Sequence, residues 1–160
     1  MDEPRSSCEL GDGAAPNTGG SRVLRFQPGF RWEGVPATEY KQAADHWRGV
    51  TRVSLVGGGG EATRFHLRYF EIAPGGFSSY ECHRHEHAVV VLRGAGQVRL
   101  GEAVHAIGFG DTVYVAPNEP HQFRNLSESE PLGFLCVVDA ERDAPVPLSE
   151  KDQSERLRPH

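Results

Sequence analysis

The sequence predicts an all-β protein, a sandwich or barrel of many short strands. Two observations carry this. From Val50 onward the apolar residues recur with period two, as in Val53-Ser54-Leu55-Val56 and in residues 64–73, so alternate side chains face opposite sides of an extended chain. Gly or Pro separates nearly all of these segments at even spacing, which is the punctuation of a sheet folded on itself. With 160 residues in all, one domain of ordinary size is expected.

Residues 1–21 are rich in Gly, Ser, Pro, Asn and charge, bury little apolar surface, and read as a disordered leader. Residues 22–63 read as an N-terminal segment, mostly irregular, that packs on the barrel. Within it, residues 23–26 suggest a short strand, Pro28-Gly29 a turn, and Phe30 and Trp32 bring apolar weight that could cover a sheet edge. Thr38 followed by residues 39–47 predicts a two-turn helix with Thr38 as N-cap, although Lys41 stands where a capping box wants Glu. Residues 53–56 and 64–73, joined through Gly57 to Gly60, predict a hairpin.

Residues 64–138 read as the barrel core. Pro74-Gly75-Gly76 is a turn signal into a histidine-rich stretch. Short strands are expected at 89–92, 97–100, 104–107, 112–115, 121–125 and 132–138. Residues 139–160 are polar and broken by proline, a tail expected to pack loosely or to end in a short helix.

The balance of charge excludes several function classes. Net charge is −5 and the pI is about 5.9, which argues against nucleic acid or an anionic membrane as the main partner. No apolar run approaches the roughly 20 residues that span a bilayer. Met1-Asp2-Glu3-Pro4 carries no secretory signature, so a cytoplasmic location is expected. Cys8, Cys82 and Cys136 are too few and too scattered for a disulfide framework. Cys136, inside Phe134-Leu135-Cys136-Val137-Val138, reads as a small buried hydrophobe.

Chemistry concentrates in two stretches. Residues 75–94 read GGFSSYECHRHEHAVVVLRG and place Glu81, His83, His85 and His87 within seven residues, all on one side if the strand runs unbroken. Residues 110–125, GDTVYVAPNEPHQFRN, add His121. Imidazole is the commonest side chain on transition metals, and a carboxylate adds charge to hold a divalent ion.

These two stretches resemble the two motifs of the cupin superfamily. The first motif, G-x5-H-x-H-x3-E-x6-G, falls without a gap on Gly75, Glu81, His83, His87 and Gly94, with Glu81 where a His is usual and His87 where a Glu is usual. The second, G-x5-P-x-G-x2-H-x3-N, falls on Gly110, His121 and Asn125. Ala116 replaces its Pro, and Asn118 replaces its Gly at a turn that asks for a left-handed residue. The resemblance covers about residues 64 to 138. It implies a double-stranded β-helix, or jelly-roll, barrel with one divalent transition metal ion, Fe, Zn, Mn, Ni or Cu, held by Glu81, His83, His87 and His121. It places His85 in the turn between two strands, beside the metal shell or exposed. His46, His66, His105 and His160 have no place in the motifs and read as structural or surface residues. Tyr69, Phe123 and Arg68 are candidates to line the cavity, and catalytic residues beyond the metal ligands are not defined.

The implied function is metal chemistry on a small-molecule substrate. A mononuclear-metal dioxygenase or other oxidoreductase is the first reading. A redox-neutral Zn-type cyclase, isomerase, lyase or rearrangement catalyst is the second, and a non-catalytic small-ligand module the third. Members of the family that resemble this chain are often dimers sharing an edge strand, so a homodimer is a further expectation.

Overall fold

The computed structural model describes residues 19–40 and 46–149. The expected leader up to residue 18, the middle of the expected helix at 41–45 and the end of the tail at 150–160 lie outside the described residues.

Among the described residues there are strands and no helix. In chain order they are β1 (Phe26–Gln27), β2 (Arg31–Trp32), β3 (Ala37–Glu39), β4 (Arg48–Val56), β5 (Phe65–Phe77), β6 (Glu81–Cys82), β7 (His87–Arg93), β8 (Ala95–Leu100), β9 (Ala103–Gly108), β10 (Thr112–Val115), β11 (His121–Arg124), β12 (Leu132–Asp139) and β13 (Val146–Pro147). All pairings are antiparallel, and every strand except β1 and β2 joins one curled sheet. The all-β jelly-roll reading is therefore correct.

β5 joins the layers of this sheet. Its first part pairs with β4 and β12, and its last residue, Phe77, pairs with Arg124 of β11. Pro74-Gly75-Gly76 does not end the strand, contrary to the turn expected there. The chain bends at Gly75, where φ is +71°, and stays hydrogen-bonded: Gly75 N–H donates to the Ser127 carbonyl and Asn125 N–H to the Gly76 carbonyl. A bend that keeps its backbone bonds avoids the cost of an orphaned buried amide.

The expected helix is also overturned where it can be seen. Residues 37–39 are β3, in register with Val53, Arg52 and Thr51 of β4. Thr38 Oγ1 donates to the Arg52 carbonyl instead of capping a helix. An open strand edge offers this β-branched residue a full ladder of bonds, and tertiary pairing outweighs a weak local propensity.

The tail turns back on the barrel: Val146 and Pro147 pair with Cys82 and Glu81 of β6.

Strand parity sorts the side chains. Ile72, Val89, Val91, Val98, Val115 and Leu132 face inward and are almost completely buried, each stabilising the fold by roughly 1.5–3 kcal/mol relative to exposure. The other face of β4 and β5 carries Val53, Leu55 and Tyr69, packed under the N-terminal segment. There Phe30 stacks on Tyr69 with ring centroids 5.7 Å apart, and Trp32 lies 5.1 Å from the same ring. Two motif positions explain their residue types. Gly94 has φ +66°, and a Cβ there would collide with the Pro131 carbonyl oxygen. Asn118 has φ +63°, the left-handed conformation its motif position asks for.

Candidate metal centre

The histidine-rich stretch is not one unbroken strand. β6 ends at Cys82, the chain bends through Arg84 and His85, and β7 begins at His87. The bend gathers side chains that a straight strand would spread apart. His83 comes from its entry, His87 from the first residue of β7, and His121 from the first residue of β11. Their metal-binding nitrogens lie within 4.8 Å of one another, and all three residues are buried.

Each imidazole is held from behind. His83 Nδ1 donates to the His85 carbonyl at 2.7 Å, and His121 Nδ1 donates to the Glu119 carbonyl at 2.9 Å. His87 Nδ1 lies 3.2 Å from Cys136 Sγ, which also accepts from Arg68 Nη2 at 3.5 Å. A carbonyl only accepts, so Nδ1 of His83 and of His121 carries the proton and Nε2 keeps its lone pair. His83 Nε2 and His87 Nε2 are 2.8 Å apart. That separation suits two nitrogens bound to one ion at about 2.0–2.1 Å each. Burial, and then the charge of His121, pulls His87 down to about 2 and His83 to about 4. His121 is lowered as well, by burial, against a raising bond to the Glu119 carbonyl. Three neutral imidazoles with converging lone pairs fit a divalent transition metal, and no second proton competes for the site at neutral pH.

The other expected site residues fall around this cluster. Glu81 pairs with His121 across β6 and β11 and lines the same cavity, but its carboxylate accepts from Ser79 Oγ at 2.7 Å and is not grouped with the three nitrogens. His85 does lie in the turn, yet it is buried rather than exposed. Its ring stacks face to face on His83, centroids 3.7 Å apart, and its Nδ1 donates to Asp143 Oδ1 at 2.9 Å. Cys136 is buried as expected, but its sulfur is a polar contact of His87 and more than a hydrophobe. Phe123 and Arg68 line the cavity; Tyr69 has the opposite parity on β5 and faces away, its hydroxyl donating to Glu71.

The cavity measures about 510 Å³, within the range of small-molecule sites. Val89, Phe70, Ile72 and Phe134 form its apolar wall. Several lining residues were not singled out from the sequence. His66, read as structural or surface, is half-buried and lines the cavity, with its Nδ1 3.0 Å from Arg142 Nη1. Arg52 and Tyr40 come from the N-terminal segment, Arg142 and Asp143 from the returning tail. Parity with Val50 on β4 could have flagged Arg52; nothing local in the sequence marks Asp143.

A curled antiparallel barrel with an inward cluster of histidines from two strands defines a metal-type barrel protein. The cupin domain family matches residues 68–138. The 1-methylthio-D-xylulose 5-phosphate methylsulfurylase of Rhodospirillum rubrum is 44% identical over 128 residues, covering 79% of this chain and 80% of that protein. A cupin 2 conserved barrel domain protein from Rhodopseudomonas palustris, known as a crystal structure, is 38% identical with a TM-score of 0.75, over 84% of this chain and 91% of that one. The polyketide cyclase RemF from Streptomyces resistomycificus is 26% identical with a TM-score of 0.65, over 78% and 89% of the two chains. This chain belongs to the cupin superfamily.

Proposed function

We propose that this chain is a metal-dependent cupin enzyme that acts on a small phosphorylated thio-sugar, with the methylthio group as the part that reacts. The observation that carries the proposal is the buried three-histidine cluster in the wall of a cavity of substrate size. Support for the substrate class comes from the Rhodospirillum rubrum relative, whose name gives 1-methylthio-D-xylulose 5-phosphate.

His83, His87 and His121 hold the ion, and Glu81, opposite His121 on β6, is the fourth ligand. When bound, the ion supplies Lewis-acid polarisation of a substrate oxygen such as the ketose carbonyl. The chain's own residues do the rest. Val89, Phe70 and Phe134 exclude bulk water from the reacting end. Asp143 accepts from His85 Nδ1, which fixes the tautomer and leaves His85 Nε2 as a base in the cavity wall. That nitrogen takes the proton from C3, on the far side of the carbonyl from the sulfur. The enediol so formed breaks the C1–S bond, and the methylthio group leaves with the bonding pair and takes the C3 hydroxyl proton as methanethiol. The proton held on His85 goes to C1, leaving a 1-deoxy-2,3-diketone phosphate with no oxidant or reductant consumed.

The test is turnover of 1-methylthio-D-xylulose 5-phosphate by metal-loaded protein, with dissolved oxygen monitored and the metal named by elemental analysis. Turnover under argon is the expected result. Oxygen consumed in step with product would replace this reading by the oxidative one. Absence of both bound metal and turnover would overturn it.

A further inference from the structure

The inward face of β4 and β5 breaks the pattern of a barrel core. Arg52 stands opposite Phe70, and Arg68 lies two residues before Phe70 on the same face, so both guanidinium groups share the side occupied by Val50 and Ile72. Arg142, on the returning tail, reaches the same cavity. Arg68 is 93% buried, and Arg52 and Arg142 are half-buried.

These cations are not neutralised by the protein. Among the described residues no carboxylate pairs with Arg52, Arg68 or Arg142. The two acids in the cavity wall are engaged elsewhere, Glu81 with Ser79 and Asp143 with Arg84 and His85. Nε of Arg52 and Nε of Arg68 are buried with no hydrogen-bond partner. Buried cationic nitrogens without a partner are costly, and a ligand of opposite sign would offset those of Arg52 and Arg68.

The cluster is held ready for that ligand. The Arg52 guanidinium lies over the Tyr40 ring at 5.3 Å and that of Arg68 over Phe70 at 5.0 Å. Stacking on a ring fixes the plane of the fork while its N–H edge stays available. Arg142 Nη1 lies 3.0 Å from His66 Nδ1 and donates to the Asp139 carbonyl at 3.1 Å, which ties the tail to β5. Burial, followed by the charge of Arg68, lowers Arg142 from its usual range; burial and then Arg142 and Arg68 lower His66. The three guanidinium groups therefore share one positive field, with His66 held neutral beside them.

We infer that Arg52, Arg68 and Arg142, with His66, form an anion site that holds the phosphate of a phosphomonoester substrate. The inference rests on the proposed function and deepens it by naming the residues that select the substrate's charged end. Three guanidinium forks match the tetrahedral oxygens of a phosphate better than a planar carboxylate. Cys136 links the two sites, since its sulfur touches both Arg68 and His87. A ligand with its phosphate on the arginines thus has its other end a few bonds away, at the histidine cluster.

The test is calorimetric titration of the metal-free full chain with inorganic phosphate, with acetate as the planar control. Wild type is expected to bind phosphate and to prefer it over acetate. Arg52→Gln and Arg142→Gln, both at half-buried positions, should each weaken binding at least about tenfold, with Arg52→Lys intermediate. No phosphate binding by wild type, equal binding by the Gln variants, or equal binding of acetate would overturn the site. Turnover separates this inference from the reaction. Phosphate binding that follows the arginines without turnover of the methylthio ketose phosphate supports the anion site and removes the reaction. Turnover with KM unchanged in Arg52→Gln and Arg142→Gln keeps the reaction and removes the anion site.

Discussion

Asp143 holds His85 from 58 residues away in sequence, with Oδ1 accepting from His85 Nδ1 at 2.9 Å. The same carboxylate accepts from the backbone N–H of Arg84 at 2.9 Å and of His85 at 3.3 Å. The Arg84 amide, and then the His85 ring, hold Asp143 below the usual carboxylate range. One side chain from the tail thus fixes the bend that separates β6 from β7.

This relationship predicts a separation of activity from metal content. Asp143→Asn removes the ionised acceptor while keeping the shape. Turnover should fall about 10–100-fold, the usual cost of losing an outer partner of a functional histidine. Metal content, set by His83, His87 and His121, should stay near that of wild type by elemental analysis. Equal loss of both would show that the bend, and not the His85 tautomer, is what Asp143 supports.

Removing ligands should grade by position. His121→Ala deletes one of the three clustered nitrogens and is expected to lose most of the bound metal. Glu81→Ala, which removes the proposed fourth ligand but leaves the cluster intact, should weaken affinity about 10–100-fold and keep partial occupancy at saturating metal. Full occupancy in His121→Ala under limiting metal would sink the assignment of the centre.

The histidine cluster also sets a pH dependence. His83 and His87 have folded values of about 4 and about 2, below the unfolded value of 6.5, with burial as the main cause. Between those values the unfolded chain binds more protons than the folded one, so stability rises with pH. The metal-free protein should therefore be most stable above pH 6.5 and lose stability as pH falls through 6.5 towards 4 and below. Urea unfolding at pH 7.5 and pH 5 checks this, and equal free energies at the two would contradict it. Metal affinity of the folded protein should hold down to about pH 4 and fall below it, as His83 takes a proton, because each imidazole must be neutral to bind.

Asn125 offers a test of the barrel itself. It is almost fully buried; its Nδ2 donates to the carbonyls of Ile72 and Glu130, and its Oδ1 accepts from Ser127 N–H at 3.0 Å. Asn125→Ala leaves those backbone groups without partners next to the bend of β5. A loss of about 1–3 kcal/mol is expected from such orphaned buried groups. Thermal unfolding would register it as a clear drop in midpoint, and an unchanged midpoint would show that other groups satisfy the same carbonyls.

The sequence by itself determined whatever depends on neighbours along the chain. Period-two alternation placed the strand at Thr112–Val115 with its observed limits, and the motif spacing picked out His83, His87 and His121, which the structure gathers. It also asked for a left-handed residue at position 118, where Asn118 has φ +63°. Side-chain parity and turn geometry are local rules, so a linear reading can use them. Only the tertiary structure decided the rest. It turned Thr38 from a helix cap into a strand residue by offering it the edge of β4, and it bent β5 at Gly75 instead of ending it. It buried His85 against His83, and it brought Arg142 and Asp143 of the tail to the cavity shared by Arg52 and His66. Most of these contacts join residues far apart in the chain, and they form because a curled sheet must close its edges and pair its buried polar groups, which no short window of sequence specifies.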